Sequence, residues 1–154
     1  MAVITATRAL HLVDVENLAG TSRPSEAEVI AVLDRYRLAV PVAPTDLVVL
    51  AANRATAAAA GWAWPGPLVR AASGPDGADL ALLEEARPEE VAGRFARVVI
   101  ASGDHVFAPA ARALRALGVA VEVVARPRSL AAALRQAATT VRLLPVLDDV
   151  AAAA

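Results

Sequence analysis

Apolar residues gather along this chain in short, nearly unbroken runs: Ala9–Val13, Leu47–Ala51, Arg97–Ala101 and Val119–Val124. Each is shorter than a typical helix, rich in Val, Leu or Ile, and closed by polar or turn-forming residues. Runs of that kind predict strands buried on both faces. Pro67–Ala71 is a weaker third strand between the second and fourth, and Val141–Leu144 adds a short edge strand. The intervening segments change period. After Ser25, the residues Val29, Ile30, Val32, Leu33 and Tyr36 recur at mixed three- and four-residue spacings, with Glu26 and Glu28 in a first turn where the helix dipole favours them. Further helices are expected in the Ala-rich stretch up to Gly61, over Ala78–Ala86, over Pro109–Leu117 with Gly118 as the stop, and between Ser129 and Ala138. The segment Asp14–Gly20 interrupts the pattern.

Strands alternating with helices across short connections predict an α/β domain on a largely parallel sheet of five or six strands. The expected organisation is one domain over residues 1–145, then an Ala-rich tail over 146–154.

Composition narrows the chemistry. Hydrophobic residues make up 57% of the 154, yet Phe, Trp and Tyr together are scarce, so the core is expected to be aliphatic and close-packed. Without cysteine there is no disulfide, thiolate catalyst or Cys-built zinc site, and His11 and His105 are too few for a His-rich one. All 15 basic residues are arginine, which removes a lysine nucleophile, a Schiff base and a P-loop lysine. The formal net charge of -1 offers no global field for nonspecific nucleic-acid binding, so any phosphate contact needs a local arginine patch. No run reaches the roughly 18 apolar residues of a membrane span, and Arg8 and Asp14 bracket too few for a signal peptide. A cytoplasmic protein is expected.

Ligands of open parallel sheets sit beyond the carboxyl ends of the strands. That rule places Asp14, Asn53, Arg54 and Ser102-Gly103-Asp104 on one rim, which Asp79 can face from the start of the helix after strand three. Carboxylates brought together repel unless a cation or a proton relieves them, and hard Mg²⁺ or Mn²⁺ prefers such oxygen ligands. On that rim Asn17 is placed to orient a water or phosphate, and Ser102 to support Asp104. Plainer roles compete. A strand-end Asp commonly forms a turn or caps a helix. Glu84 and Glu85 read as a solvated helix face, and His105 as a loop histidine. Arg54, Arg70, Arg126 and Arg128 are candidate phosphate contacts that also read as surface charges. GxGxxG, GxxxxGK[ST] and GxSxG are absent, so dinucleotide, P-loop and esterase chemistry lose their main support.

Three motifs in order carry a resemblance. His11-Leu12-Val13-Asp14-Val15-Glu16-Asn17-Leu18 resembles an opening strand followed by D-x-x-N, and Asp76-Gly77-Ala78-Asp79 with its helix is similar to a K-G-x-D block. Val98-Val99-Ile100-Ala101-Ser102-Gly103-Asp104-His105-Val106-Phe107 resembles the strand leading to S-G-D-x-D-F. The chain is thereby similar to the NYN family of PIN-like ribonuclease domains. The resemblance implies a PIN-like three-layer sandwich and cleavage of RNA with Mg²⁺ or Mn²⁺. It gives Asp14, Asp79 and Asp104 as metal ligands, Asn17 in substrate or water positioning, and Ser102 in support. Arg54 is the arginine expected to steady the substrate.

The chain departs from the pattern at three places. Val106 stands at a second acid, Asp76 where lysine is common, and Thr139 where Asp is frequent, while Glu85 is a candidate replacement acid near Asp79. These losses favour a single ion and open an alternative, an impaired domain that binds RNA or protein without cutting. A homo-oligomer contact through the Ala-rich helices and Trp62, Trp64 and Pro65 is a further expectation, with core packing as its rival.

Overall fold

A computed structural model describes residues 7–145, so the tail expected over 146–154 lies outside the described residues. The apolar runs form a six-stranded sheet: β1 (Ala9–Asp14), β2 (Leu47–Asn53), β3 (Leu68–Ala72), β4 (Arg97–Ala101), β5 (Ala120–Ala125) and β6 (Thr140–Leu143). Every pairing is parallel and the order is β3-β2-β1-β4-β5-β6. Successive side chains of a strand point to opposite faces, and here both faces are covered. Leu10, Leu12, Val98, Ile100, Val121 and Val123 join one core, packed with Leu82, Phe107, Leu114 and Leu134. Val13, Leu50, Val99, Ala101 and Val124 join the other, with Val29, Val32, Leu33, Tyr36 and Ala60.

The first core lies under α4 (Gly77–Glu85), α5 (Pro88–Val91), α6 (Ala108–Ala116) and α7 (Ala132–Ala137), and the second under α1 (Val15–Ala19), α2 (Glu26–Ala39) and α3 (Arg54–Ala63). Ser25 starts α2 with a capping box: its hydroxyl accepts from the Glu28 amide at 3.2 Å, and the Glu28 carboxylate accepts from the Ser25 amide at 3.0 Å. Such a cap contributes about 1 kcal/mol. No helix among the described residues is long and apolar enough to cross a membrane.

Three local readings change. Asp14–Gly20 holds a helix of one turn, α1, because the Asp14 side chain caps it and Gly20 closes it with a positive φ of 81°. The four-residue α5 has no apolar periodicity to announce it and rests on Pro88 in its first turn. The two tryptophans part company: Trp64 is buried beside Tyr36 with the Arg37 guanidinium over its ring, whereas Trp62 is 84% exposed. Trp64 is therefore a core residue and does not belong to an open contact surface.

From β1 the chain winds outward through β2 to β3, then returns to β4 on the other side of β1. The gap beyond the ends of β1 and β4 is where connections diverge to opposite faces, the position at which doubly wound sheets bind ligands.

Candidate functional site: an acidic cleft at the strand ends

Asp14 ends β1, and the β1–β4 register pairs Val13 with Ala101, so Ser102-Gly103-Asp104 emerges directly beside it. The Ser102 hydroxyl links the two acids. It donates to Asp14 Oδ2 at 3.2 Å and accepts from the Asp104 amide at 3.2 Å. Ser102 is fully buried, so it lies beneath the carboxylates and away from anything bound above them. Asn17 ties the same segments from α1: its Oδ1 accepts from the Gly103 amide at 2.9 Å, while its own amide donates to Asp14 Oδ1 at 3.3 Å. Asp104 in turn accepts from the Val106 amide at 3.0 Å and starts a 3-10 turn over His105–Phe107. Both acids thus cap local structure and also face the cleft, so the plain reading and the chemical one hold together.

Asp79 reaches the cleft from the first turn of α4. The cleft has a volume of about 420 Å³ and is lined by Asp14, Glu16, Asn17, Asp79, Asp104 and Arg126, with Gly20–Ser22, Asn53, Ala72, Gly74, Pro75 and Ala78 completing its walls. Burial, and then the Asp79 charge, push the Asp14 carboxyl up to about 7. Burial also raises Asp79, opposed by its hydrogen bond with Asp14 and reinforced by the charges of Asp104 and Asp76. The cleft floor therefore carries more negative charge than it can comfortably hold ionised.

Glu16 belongs to the cleft and was not among the residues singled out in the sequence. Its Oε1 accepts from the Asn53 amide, but its Oε2 is buried without a hydrogen-bond partner, and burial raises its pKa. The signal was the acid between Asp14 and Asn17, legible once α1 is known to be helical. Arg126 also lines the cleft, where its Nε donates to the Asn17 carbonyl at 3.0 Å and its guanidinium packs against Gly20. Gly103 lets the segment after Arg126 close over the loop, since a Cβ there would meet the Ser129 carbonyl oxygen at 2.2 Å.

Other expected positions fall elsewhere. Arg54 is exposed at the start of α3 and lines a neighbouring groove. Glu85 is engaged with Arg70, whose Nε donates at 3.0 Å, so it is not a spare acid beside Asp79. Val106 is half-buried and packs against the core under α6. Thr139 pairs with Val121 at the opening of β5, its hydroxyl accepting from the Val121 amide at 3.0 Å. That is the amino end of a parallel sheet, so Thr139 is not an acid lost from the cleft. His105 is 81% exposed, with Nδ1 3.2 Å from Asp104 Oδ1.

The donor set tests the fit to a metal. Among the described residues no three acidic or histidine side chains stand together in a ready ligating arrangement. Mg²⁺ does not need one, since it keeps several waters and takes one or two carboxylates directly. An oxygen-only set, an over-charged carboxyl pair and the orphaned Glu16 oxygen fit a hydrated hard cation.

An open parallel sheet with acids at its switch point defines an α/β domain with an acidic cleft at the ligand position of such folds. The NYN domain model matches residues 9–145, and the chain belongs to that family. NYN and PIN-like domains generally depend on divalent metals. The fold matches the crystal structure of a protein of unknown function from Vibrio parahaemolyticus, with a TM-score of 0.61 and 19% identity over 97% of this chain and 98% of that one. No curated protein matches the chain.

Proposed function

We propose that this protein is a ribonuclease that hydrolyses RNA phosphodiester bonds with Mg²⁺ or Mn²⁺ in the acidic cleft. The observation that carries the reading is the convergence of Asp14, Asp79 and Asp104, from three distant segments, on one cleft of an NYN domain. Asp14 and Asp79 are the pair that would hold the ion, with Asp104 beside them as the third carboxylate. When bound, such an ion lowers the pKa of its water and stabilises charge on a phosphoryl oxygen. The protein's own part is positional. Ser102 holds Asp14 and the backbone of Asp104 in fixed relation, and Asn17 locks α1 to the Gly103 amide, leaving its side-chain NH₂ group at the cleft to orient a water or phosphate. Arg126 lends positive charge to the wall of the cleft. A cytoplasmic location is part of the same reading.

The test is cleavage of a labelled single-stranded RNA with and without Mn²⁺ by the full chain and by Asp104→Asn. Metal-stimulated cleavage lost in the variant, with the fold intact, is expected. Full activity in the variant sinks the assignment.

A second reading has its own observation. Val106, at the position of an acid in the family pattern, is half-buried against the core, and no three-ligand arrangement is present among the described residues. On that reading the domain keeps the fold and binds RNA or a protein without cutting, since fold does not guarantee chemistry. Calorimetric titration with Mn²⁺ separates the two. Binding that depends on Asp14 and Asp104 favours the enzyme, and no binding favours the module.

A further inference from the structure

The acidic cleft does not end at its walls. Ser22, Asn53, Ala72 and Gly74 also line a second groove, on whose far side stand Arg23 and Arg54. Both arginines are exposed, and among the described residues neither forms an ion pair. Four other arginines are engaged in ion pairs: Arg70 with Glu85, Arg97 and Arg142 with Glu122, and Arg87 with Glu90. Arg54 is also the first residue of α3, so the positive end of a ten-residue helix lies at the same place. Asn53 fixes this wall. It caps α3 by accepting from the Thr56 amide at 3.0 Å, and its side-chain NH₂ donates to the Ser22 carbonyl at 2.9 Å.

We infer that this groove is a subsite for the backbone phosphates of a single-stranded RNA flanking the phosphate that enters the acidic cleft. The inference rests on the ribonuclease reading for the identity of the strand. Its own ground is the alternation of charge along a continuous surface: Arg126 on one wall of the cleft, carboxylates at the floor, and two uncommitted arginines beyond Asn53. A net charge of -1 gives the chain no general attraction for a polyanion, so affinity has to come from such a local strip. Guanidinium groups suit phosphate by their planar fork of donors. A single strand is favoured over a duplex because Asp14, at the cleft floor, is only 5% exposed, and a backbone that reaches it must bend sharply. Duplexes resist bending over such lengths.

Binding measured without cleavage tests the subsite. A fluorescent single-stranded oligoribonucleotide is titrated with the full chain in EDTA across a range of salt concentrations. Arg23→Ala/Arg54→Ala is expected to weaken binding about tenfold and to reduce the log–log salt slope by about 1.4, the value for two phosphates of a single strand. Arg112→Ala/Arg135→Ala, exposed on α6 and α7, is expected to change neither. Unchanged affinity and slope in the groove variant, or an equal loss in the control variant, overturns the inference, as does a duplex that competes as well as the single strand. Because no metal or turnover enters the measurement, Asp104→Asn with undiminished cleavage would defeat the nuclease site while leaving this result standing.

Discussion

Two polar clusters lie three residues apart on β1 and have opposite character. His11 is wholly buried, with Nδ1 2.7 Å from the Tyr36 hydroxyl and Nε2 3.1 Å from Asp46 Oδ2. Asp46 also accepts from the Ala9 and Ala43 amides, both at 2.8 Å. Burial lowers the His11 pKa, and the hydrogen bonds hold Asp46 below its usual value despite burial acting the other way. Each group has its partner, and the cluster lines no cleft described above. At Asp14 the balance reverses: carboxylates face one another, the Glu16 oxygen is orphaned, and the site opens to solvent. A closed and satisfied network stabilises a fold, whereas an open and unsatisfied one has capacity left for a ligand.

The contrast breaks most sharply in activity. Asp104→Asn is expected to lower metal-stimulated RNA cleavage by at least about a hundredfold, the scale of a lost catalytic group, with little change in melting temperature. Cleavage assays beside thermal unfolding measure both. A variant that unfolds as readily as it loses activity would place Asp104 with the structural cluster.

Next in size is a pH effect at Asp14. Its carboxyl sits near 7 in the fold, above its unfolded value, so between about pH 4 and 7 the native state binds more protons than the unfolded chain. Stability from this group is therefore present at low pH and is lost as pH rises through about 7, by up to about 4 kcal/mol. Asp14→Asn stays neutral throughout but weakens one of the bonds from Ser102 or Asn17, at about 1 kcal/mol. In the metal-free protein it should raise the melting temperature at pH 8 by several degrees relative to wild type, with no gain at pH 5. Denaturation at the two pH values measures it, and equal effects at both would show that the cleft is not over-charged. Added Mn²⁺ should stabilise the wild type at pH 8 and leave the variant unmoved.

Parallel runs and their closing acids made much of this arrangement visible in advance. Strand-end placement of Asp14 and Asp104 follows from β1 and β4, because a parallel register forces both to the same rim. Glu16 escaped because a helix of five residues is too short to show a period. Glu85 and Thr139 misled for different reasons. The salt bridge to Arg70 depends on β3 and α4 meeting in space, and the distance of Thr139 from the rim depends on which end of β5 it joins. Neither is a local property. Trp62 and Trp64 illustrate the same limit, as two neighbours on α3's end have opposite fates set by where Tyr36 lies.

The closed cluster yields the next prediction. Tyr36→Phe removes one hydroxyl and leaves His11 Nδ1 buried without a partner, which costs about 1–3 kcal/mol. Chemical denaturation should show that loss, while Mn²⁺ affinity and RNA cleavage stay at wild-type values. A fall in activity at constant stability would connect the two clusters through β1.

Val106 gives the smallest effect and bears most directly on the missing acid. Its side chain is half-buried against the core that holds Phe107 and Leu134, although its neighbour Asp104 faces the cleft. Restoring the acid with Val106→Asp therefore places a carboxyl where apolar atoms now pack. Burying about half a valine is worth about 1 kcal/mol, and the substitution should lower stability by that amount. Mn²⁺ binding measured by calorimetry should change by less than about twofold, because one ion of this kind is satisfied by one or two carboxylates and its own waters. A tenfold gain in Mn²⁺ affinity would reverse this reading: residue 106 would then belong to the cleft, and its valine would be the reason the site holds metal less tightly than four acids could.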